Sequence, residues 1–382
     1  MQYSFSDEQE QFREFVGRFM REKSPASEVR KLMETSSGFD AGLWQQMNSE
    51  LGLSALAIPE AYGGQGFGFV ELAIVLEEMG RNLLCAPFFS SAVLATQAIL
   101  NTASQEQKIA LLPDIASGKR IATLAMCEAS GSWRAEDISM LATFHRSRDG
   151  SGGKDGFQLN GEKHLVTDGM SADIFVVAAR VETSKGDTNP AFFLVQSDAQ
   201  GLTRSALESI DPTRKLAQLE FDGVDAELLG QASLEKIDRT IALANIALAN
   251  EMIGGCQYLL DSAVEYAQLR MQFGRTIASF QAIKHMCADM LLEVELARSA
   301  AYQAAQAAAE DDSETLALAS LAKACVSDTY LRTAATCIQI HGGIGFTWDN
   351  DTHLWFKRAK SSEEFLGGPM LHRELLMQSW GV

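Results

Sequence analysis

The sequence lacks closely spaced cysteines. No two of its six cysteines lie within three residues of each other, which excludes the CxxC pairs of structural zinc sites and a dense disulfide framework. Scattered cysteines in apolar stretches are most often small core residues, so we expect a reducing, cytoplasmic compartment. The cysteines are Cys85, Cys127, Cys256, Cys287, Cys325 and Cys337.

Long apolar runs and excess positive charge are also missing. No stretch of about 18 apolar residues, the length of a membrane-spanning helix, occurs, and the first residues carry no basic segment typical of a signal peptide. The formal net charge is −18, which repels nucleic acid phosphates and acidic membrane surfaces. We therefore expect a soluble protein with neither nucleic acid nor membrane as partner, and without a metal site.

The distribution of patterns along the chain predicts an α+β protein with three domains. Helical periodicity covers residues 1–118, short segments rich in β-forming residues cover 119–230, and alanine-rich helical segments cover 231–382. We expect an N-terminal helical domain, a middle antiparallel β domain and a C-terminal bundle of the four-helix type. The glycine-rich segment at 63–66, GGQG, follows no strand and is therefore not a dinucleotide-binding motif.

Individual elements follow from the same patterns. We predict strands at 121–126, 138–145, 156–159, 174–179 and 191–195, and helices at 87–100, 105–117, 234–271, 279–310 and 313–340.

Four segments carry a resemblance to a known family. They are PEAYGGQG at 59–66, LNGEKHLVT at 159–167, RMQFGR at 270–275 followed by FQAIKH at 280–285, and QIHGGIGF at 339–346. In this order and at these distances they resemble the acyl-CoA dehydrogenase superfamily over nearly the whole chain. The run HGGIGFTW at 341–348 is similar to bacterial members that act on bulky or steroid side-chain acyl-CoAs.

The resemblance implies an FAD site between the β domain and the C-terminal bundle, completed at the adenine end by a second subunit. Thr167 matches the hydroxyl that hydrogen-bonds flavin N5, with Val166 beside it. Leu165 stands where the family usually has Trp or Phe against the ring. Without the resemblance, this segment would be interpreted as an ordinary strand end.

The loop CEASGSW at 127–133 resembles the family's loop on the flavin and thioester side, in which Cys127 and Ser132 match. It is one residue shorter than usual, and Ala129 and Trp133 replace the family's Pro and Asp. Small residues allow backbone N–H groups to approach a ligand closely. The alternative is a plain β-turn.

Further FAD contacts are implied in the C-terminal domain. A guanidinium suits a diphosphate, and paired glycines permit close backbone approach. The alternatives are a surface salt bridge for the arginine and a helix stop for the glycines. The implied contacts are Arg270, Phe273, Phe280, Gln281, Gln339, Gly342 and Gly343.

Removal of an α-proton from a thioester needs a general base. The family's usual glutamate position is Leu366 here, and the alternative position used by a subset is Ala244. Glu251 lies two helical turns after Ala244, on the same face and displaced by roughly 10 Å, and it is the only charged residue between 240 and 255. A lone carboxylate on an apolar helix is costly unless it is paired or functional, so Glu251 is the candidate base. A structural salt bridge, and a role for Glu363 or Glu364, remain alternatives.

The sequence thus predicts an FAD-dependent acyl-CoA dehydrogenase that passes electrons to an electron-transfer flavoprotein. We expect a homo-oligomer, a dimer or tetramer, or a hetero-oligomer with a paralogous subunit. Two alternatives stay open: a non-catalytic or half-site partner subunit, and a flavin monooxygenase on the same fold.

Overall fold

The computed structural model describes residues 5–145, 156–182 and 187–382. Within these ranges, helices are followed by strands and then by helices, as the sequence predicts. The helices are α1 (Asp7–Lys23), α2 (Ala26–Leu32), α3 (Ala41–Ser49), α4 (Phe69–Arg81), α5 (Thr96–Thr102), α6 (Gln105–Ala116), α7 (Leu234–Leu269), α8 (Gln281–Ala309), α9 (Thr315–His341), α10 (Thr352–Glu364) and α11 (Pro369–Ser379). The strands are β1 (Ala122–Ala125), β2 (Leu141–His145), β3 (Gly156–Thr167), β4 (Ile174–Glu182), β5 (Thr188–Gln196), β6 (Leu202–Leu207), β7 (Leu216–Leu228), β8 (Met271–Gln272) and β9 (Arg275–Thr276).

Contacts group the described residues into two compact units. The first takes in Met1–Leu32, Gly68–Cys85 and Asn245–Val382, and the second takes in Met33–Phe67 and Ala86–Ala244. The division into 1–118, 119–230 and 231–382 follows chain order instead, and it stays a prediction.

In the first unit, two glycines allow α4 and α7 to touch backbone to backbone. A Cβ added at Gly80 would lie 1.8 Å from the carbonyl oxygen of Glu251, and one added at Gly254 would lie 1.8 Å from that of Glu77. Both distances are far below van der Waals contact, so any side chain at either position would force the helices apart. This close crossing fixes the part of α7 that carries Glu251.

The second unit contains a seven-stranded sheet. Its main path runs β1-β4-β2-β3-β7-β5, with β6 paired to β7 and a further pairing of β4 with β5. Most pairings are antiparallel, as expected, but β1 and β2 each pair with β4 in parallel. The sheet is therefore mixed around β4, which is connected to β1 and β2 by crossovers rather than by hairpins.

Sequence patterns located five of the seven strands and missed β6 and β7. Asp222 and Gly223 interrupt the β-forming residues of β7 and resemble a turn. Similarly, Asn160 and Gly161 suggested the end of a strand, yet β3 continues to Thr167, with a register shift between Leu159 and Gly161. The irregularity is absorbed as a bulge, in which Gly161 has φ +132°.

The predicted helix at 87–100 has two parts. Residues Phe89–Ala95 form a π-helix and Thr96–Thr102 continue as α5. Thr96 Oγ1 donates to the carbonyl of Ser91 at 2.8 Å, and Ser91 Oγ accepts from the N–H of Ala122 at 3.2 Å. The Thr96 hydroxyl thus satisfies a carbonyl of the widened turns, and the Ser91 hydroxyl links this helix to the N–H of Ala122 in β1.

The three long C-terminal helices confirm the predicted segments, with ends that differ by a few residues. Alanines occupy many of their buried positions, among them Ala297, Ala301 and Ala304 on α8, each 0% exposed. Small side chains on facing helices allow close packing. In the part of the chain that the structure describes, no helix has the combination of length and apolar character required to cross a membrane.

Candidate active site

The pairing of β3 with β7 is irregular just before Thr167. Lys163 pairs with Leu219 and Val166 with Ala217, so β3 carries one extra residue between these two points. Leu165 has φ +54° in this bulge and is 37% exposed. A β-branched or bulky residue in this region of φ is strained, and such strain is concentrated at functional sites. The bulge turns Leu165 outward.

Thr167 combines burial with an unused hydroxyl. The residue is 2% exposed, and its Oγ1 has no hydrogen-bond partner among the described residues. Its carbonyl accepts from Thr123 Oγ1 at 2.6 Å, while the neighbouring Val166 is 1% exposed. A buried hydroxyl without a partner costs free energy unless a ligand satisfies it.

The loop 127–133 joins the bulge through its first residue. The carbonyl of Cys127 accepts from the N–H of His164 at 2.8 Å. Burial raises the pKa of the Cys127 thiol to about 11, so this side chain is a packed thiol and not a nucleophile. Gly131 has φ +76° and open space where a Cβ would lie, while its N–H donates to the carbonyl of Glu128 at 2.9 Å.

Ser132 is tied into the loop itself. Its Oγ donates to Asp137 at 2.7 Å and accepts from the N–H of Arg134 at 3.2 Å. The hydroxyl therefore shapes the turn, and a ligand that uses it must share it with Asp137. Trp133, at the position where the family usually has Asp, is 5% exposed and part of the core.

An ion pair between the fully buried Lys163 and the half-buried Glu128 lies at the start of this loop. Lys163 Nζ donates to Glu128 Oε1 at 2.7 Å, and the Lys163 side chain is fully buried. Burial would raise the pKa of Glu128, but the hydrogen bond and charge of Lys163 outweigh it and lower the pKa to about 2. The sequence analysis did not predict this pair, because the polar neighbours of Lys163, Glu162 and His164, give no sign that its side chain is buried.

In the first unit, residues 271–276 form a tight hairpin. The two central residues, Phe273 and Gly274, have φ +52° and +75°, which is the backbone of a type I′ turn. Phe280 stacks edge-on against Phe273 at 6.1 Å, and the Arg275 guanidinium lies 4.1 Å from the Phe280 ring. Phe273 is nevertheless 90% exposed, so the hairpin presents an aromatic tip that its own unit does not cover.

The residues next to this hairpin and at the end of α9 are similarly open. Arg270 and Gln281 are exposed, and so are Gln339, Gly342 and Gly343. Gly342 ends α9 with φ +65°, and nothing lies within 4 Å of an added Cβ at Gly342 or Gly343. The helix-stop alternative is therefore correct for Gly342, and it is compatible with an accessible backbone there.

Glu251 makes a buried ion pair. Its Oε1 lies 2.9 Å from Nη1 of Arg358 on α10, and the two side chains are 8% and 5% exposed. The positions that carry the family's usual glutamates are apolar and buried: Ala244 is 0% exposed and Leu366 1%. Glu363 and Glu364 both pair with Lys360.

The backbone around Leu366 is held by two buried side chains. Lys323 Nζ donates to the carbonyls of Glu363 and Gly367 at 2.8 and 2.9 Å. His372 Nε2 donates to the carbonyl of Leu366 at 3.1 Å. Leu366 itself has φ +62°, so these contacts stabilise a strained turn.

Comparison with known proteins gives one consistent result. Family models described as acyl-CoA dehydrogenase N-terminal, middle and C-terminal domain match residues 6–119, 123–224 and 235–380, in this order. The chain belongs to the acyl-CoA dehydrogenase family. The expectation of an acyl-CoA dehydrogenase, drawn from four short motifs, is confirmed.

Relatives of this acyl-CoA dehydrogenase cover its whole length. It is 32% identical to the acyl-CoA dehydrogenase IpdE2 of Mycobacterium tuberculosis, over 97% of this chain and 95% of the relative. A chain of the ChsE4–ChsE5 complex from Mycobacterium tuberculosis is 27% identical, with a TM-score of 0.86 over 100% of this chain and 99% of that one. A chain of a variant of the Tcur3481–Tcur3483 steroid ACAD is 28% identical, with a TM-score of 0.84 over 98% of both.

Within each unit, the structure of this acyl-CoA dehydrogenase groups some of the predicted site residues. Within the second unit, the His164–Cys127 backbone bond joins the loop 127–133 to the segment 165–167. Within the first unit, Arg270 adjoins the hairpin, since its carbonyl accepts from the N–H of Ile277 at 2.8 Å. Glu251 belongs to neither group and is placed by α7 and Arg358.

Proposed function

We propose that this acyl-CoA dehydrogenase uses FAD to convert an acyl-CoA thioester into the α,β-unsaturated enoyl-CoA. The observation that supports the proposal best is Thr167, whose buried hydroxyl has no partner among the described residues. It occurs at the position where the family places a hydroxyl against flavin N5. FAD, when bound, supplies the acceptor for the hydride that leaves Cβ of the substrate.

The chain's own residues fit such a cofactor. Thr167 would offer its hydroxyl to the flavin ring, with Val166 and the exposed Leu165 as apolar neighbours. Gly131, which has open space where a Cβ would lie, and the backbone of the loop that contains Cys127 and Ser132 would approach it closely.

The remaining contacts would come from the exposed residues of the first unit. Arg270 would bind the diphosphate through its fixed positive charge. Phe273, Phe280 and Gln281 would lie alongside it, and Gln339, Gly342 and Gly343 would reach the adenosine end of a neighbouring subunit's FAD.

We propose Glu251 as the group that removes the α-proton. It is the only charged residue in its stretch of α7, and Arg358 holds its carboxylate at a defined place. Its burial keeps water out of the site. A base that removes a weakly acidic α-proton requires such a dry environment. Backbone N–H groups would polarise the thioester carbonyl.

Assembly and electron transfer complete the proposal. Three leucines, Leu291, Leu292 and Leu296, are 50%, 61% and 61% exposed on α8, and together with the exposed hairpin tip they favour contact with a second subunit. We propose a dimer or tetramer, or a hetero-oligomer with a paralogous chain, that passes electrons to an electron-transfer flavoprotein. Similarity to a steroid ACAD supports a bulky or branched acyl group.

One observation favours a second candidate function, that of a half-site subunit in a hetero-oligomer. Glu251 is engaged with Arg358, and both of the family's usual base positions are apolar. A chain that lacks a base of its own could still complete the FAD site of a partner. The similar chain in the ChsE4–ChsE5 complex is itself part of a complex.

The test is anaerobic reduction of the purified protein by a panel of straight-chain, branched and polycyclic acyl-CoAs. We expect FAD to co-purify and its absorbance near ~450 nm to bleach with the bulky substrates. Protein that stays colourless alone and becomes yellow only with a paralogous partner would support the half-site function. A yellow protein that no acyl-CoA bleaches would contradict the dehydrogenase proposal.

A further inference from the structure

The ion pair of Glu128 and Lys163 does more than satisfy the buried charge of Lys163. Glu128 Oε1 accepts from Lys163 Nζ at 2.7 Å and from the N–H of Met140 at 3.0 Å. Its Oε2 accepts from both the N–H and the hydroxyl of Ser139. One carboxylate therefore holds strand β3, through Lys163, and the segment 139–140 that leads into β2.

Glu128 lies at the start of the loop 127–133, and Lys163 lies at the start of the bulge in β3. Glu128 follows Cys127, the first residue of the loop 127–133, and Lys163 is the last regularly paired residue before the bulge in β3. Lys163 Nζ also donates to the carbonyl of Met126 at 3.2 Å, and the adjacent His164 N–H reaches the carbonyl of Cys127. The lysine thus contacts the chain on both sides of the loop's start.

We infer that the Glu128–Lys163 pair is a positioning element, which fixes the loop 127–133 against the bulged end of β3 and thereby sets where the Thr167 hydroxyl lies. The inference rests on the proposed function, since it assumes that Thr167 faces a flavin. Glu128 and Lys163 need not touch the cofactor or substrate. They act through Cys127, His164 and the short segment that leads from Lys163 to Thr167.

The physical reason is geometric. A bulge and a short glycine-containing loop have few restraints of their own, and the bulge interrupts the pairing of β3 with β7 between Lys163 and Val166. A buried salt bridge contributes little net stability compared with apolar packing, but it defines one geometry. Small displacements of a catalytic contact, about 1 Å, lower rates by up to about 100-fold.

The experiment compares Glu128→Gln and Lys163→Met with the wild-type holoenzyme. Gln keeps the size of Glu128, but its NH2 group must face donors on one side, either those of Lys163 and Met140 or those of Ser139. We expect both variants to retain FAD with altered visible circular dichroism, and to bleach about 10- to 100-fold more slowly at saturating acyl-CoA. In the apoprotein, amide hydrogen exchange in the peptides that cover 127–133 and 163–167 should accelerate.

The matched control is Phe193→Leu. Phe193 is 0% exposed in the same sheet and packs against Phe157 near the opposite end of β3. The Phe193→Leu substitution should lower the melting temperature without changing the flavin spectrum or the rate of bleaching. If Lys163→Met does not fold, the more conservative Glu128→Gln variant alone tests the inference.

A double variant separates positioning from general destabilisation. If the pair acts through Thr167, adding Glu128→Gln to Thr167→Val should slow bleaching little beyond Thr167→Val alone, because both changes remove the same contact. Independent effects that multiply would overturn the inference, and so would a Glu128→Gln variant with wild-type spectrum, exchange and rate. A wild-type protein that binds no FAD would end the proposed function and this inference together.

Discussion

Glu251 Oε1 and Arg358 Nη1 lie 2.9 Å apart, with both side chains more than nine-tenths buried. The pair links α7 to α10 inside the first unit. This one contact is compatible with two interpretations: an arginine that orients a catalytic carboxylate, or a structural salt bridge within a helical bundle. Substitution of each partner distinguishes them.

Glu251→Gln should leave a folded, yellow protein that reacts slowly. The amide keeps the size of the side chain and a hydrogen bond to Arg358 but cannot accept the α-proton. We expect bleaching by substrate to slow by on the order of 10²–10⁴-fold, the usual contribution of a positioned general base. Stopped-flow absorbance under anaerobic conditions measures it.

Glu363→Gln and Glu364→Gln are the controls, because both carboxylates pair with Lys360. They should change the rate far less. A Glu251→Gln variant that bleaches at the wild-type rate would exclude Glu251 as the base. One that fails to fold would support the structural salt bridge, because loss of one partner from a buried pair costs about 3–5 kcal/mol.

Arg270→Ala should weaken FAD binding while leaving the fold intact. The guanidinium is exposed beside the hairpin 271–276, so its removal costs little packing, whereas a diphosphate would lose a charged donor. Titration of apoprotein with FAD, followed by flavin fluorescence, measures the change. Arg332→Ala, which removes an exposed pair with Glu293, should not alter binding; equal affinity of both variants would remove Arg270 from the site.

Much of the fold could be predicted because periodicity and composition are local signals. The long alanine-rich helices and five strands follow directly from them. Strand β7 was missed because Asp222 and Gly223 look like a turn, and the end of β3 because Asn160 and Gly161 do. Only pairing with neighbouring strands, which is not local, decides that these residues continue a strand.

The site divides in the same way. Thr167 and Arg270 could be proposed from motifs, because their chemistry is tied to short runs of sequence. The partner of Glu251 could not be predicted, since Arg358 is 107 residues away and nothing in its own segment marks it. The burial of Lys163 and Lys323 could not be predicted either, because it depends on the elements that pack around them.

Gly80→Ala and Gly254→Ala should each destabilise the first unit strongly. A new Cβ would lie 1.8 Å from a carbonyl oxygen on the facing helix, and a backbone atom cannot move aside as a side chain can. We expect a loss of several kcal/mol, as for severe overpacking, visible as a lower midpoint of thermal unfolding. Gly42→Ala on α3, whose nearest neighbour is a side-chain oxygen at 3.2 Å, should not destabilise.

His372 predicts a specific acid sensitivity. Burial, assisted by the nearby charge of Lys323, lowers the pKa of His372 to about 4 from the ordinary value of 6.5. Between these values the unfolded chain binds a proton that the folded chain does not, so folded-state stability falls as the pH falls through this window.

The expected size follows from about 1.4 kcal/mol for each pKa unit, which gives a loss on the order of 3 kcal/mol between about pH 6.5 and pH 4. His372→Gln retains a donor for the carbonyl of Leu366 but does not titrate, and its unfolding midpoint should therefore depend less on pH within this window. Thermal unfolding measured at half-unit steps tests this, and identical slopes for the wild-type protein and His372→Gln would show that His372 does not titrate with unfolding.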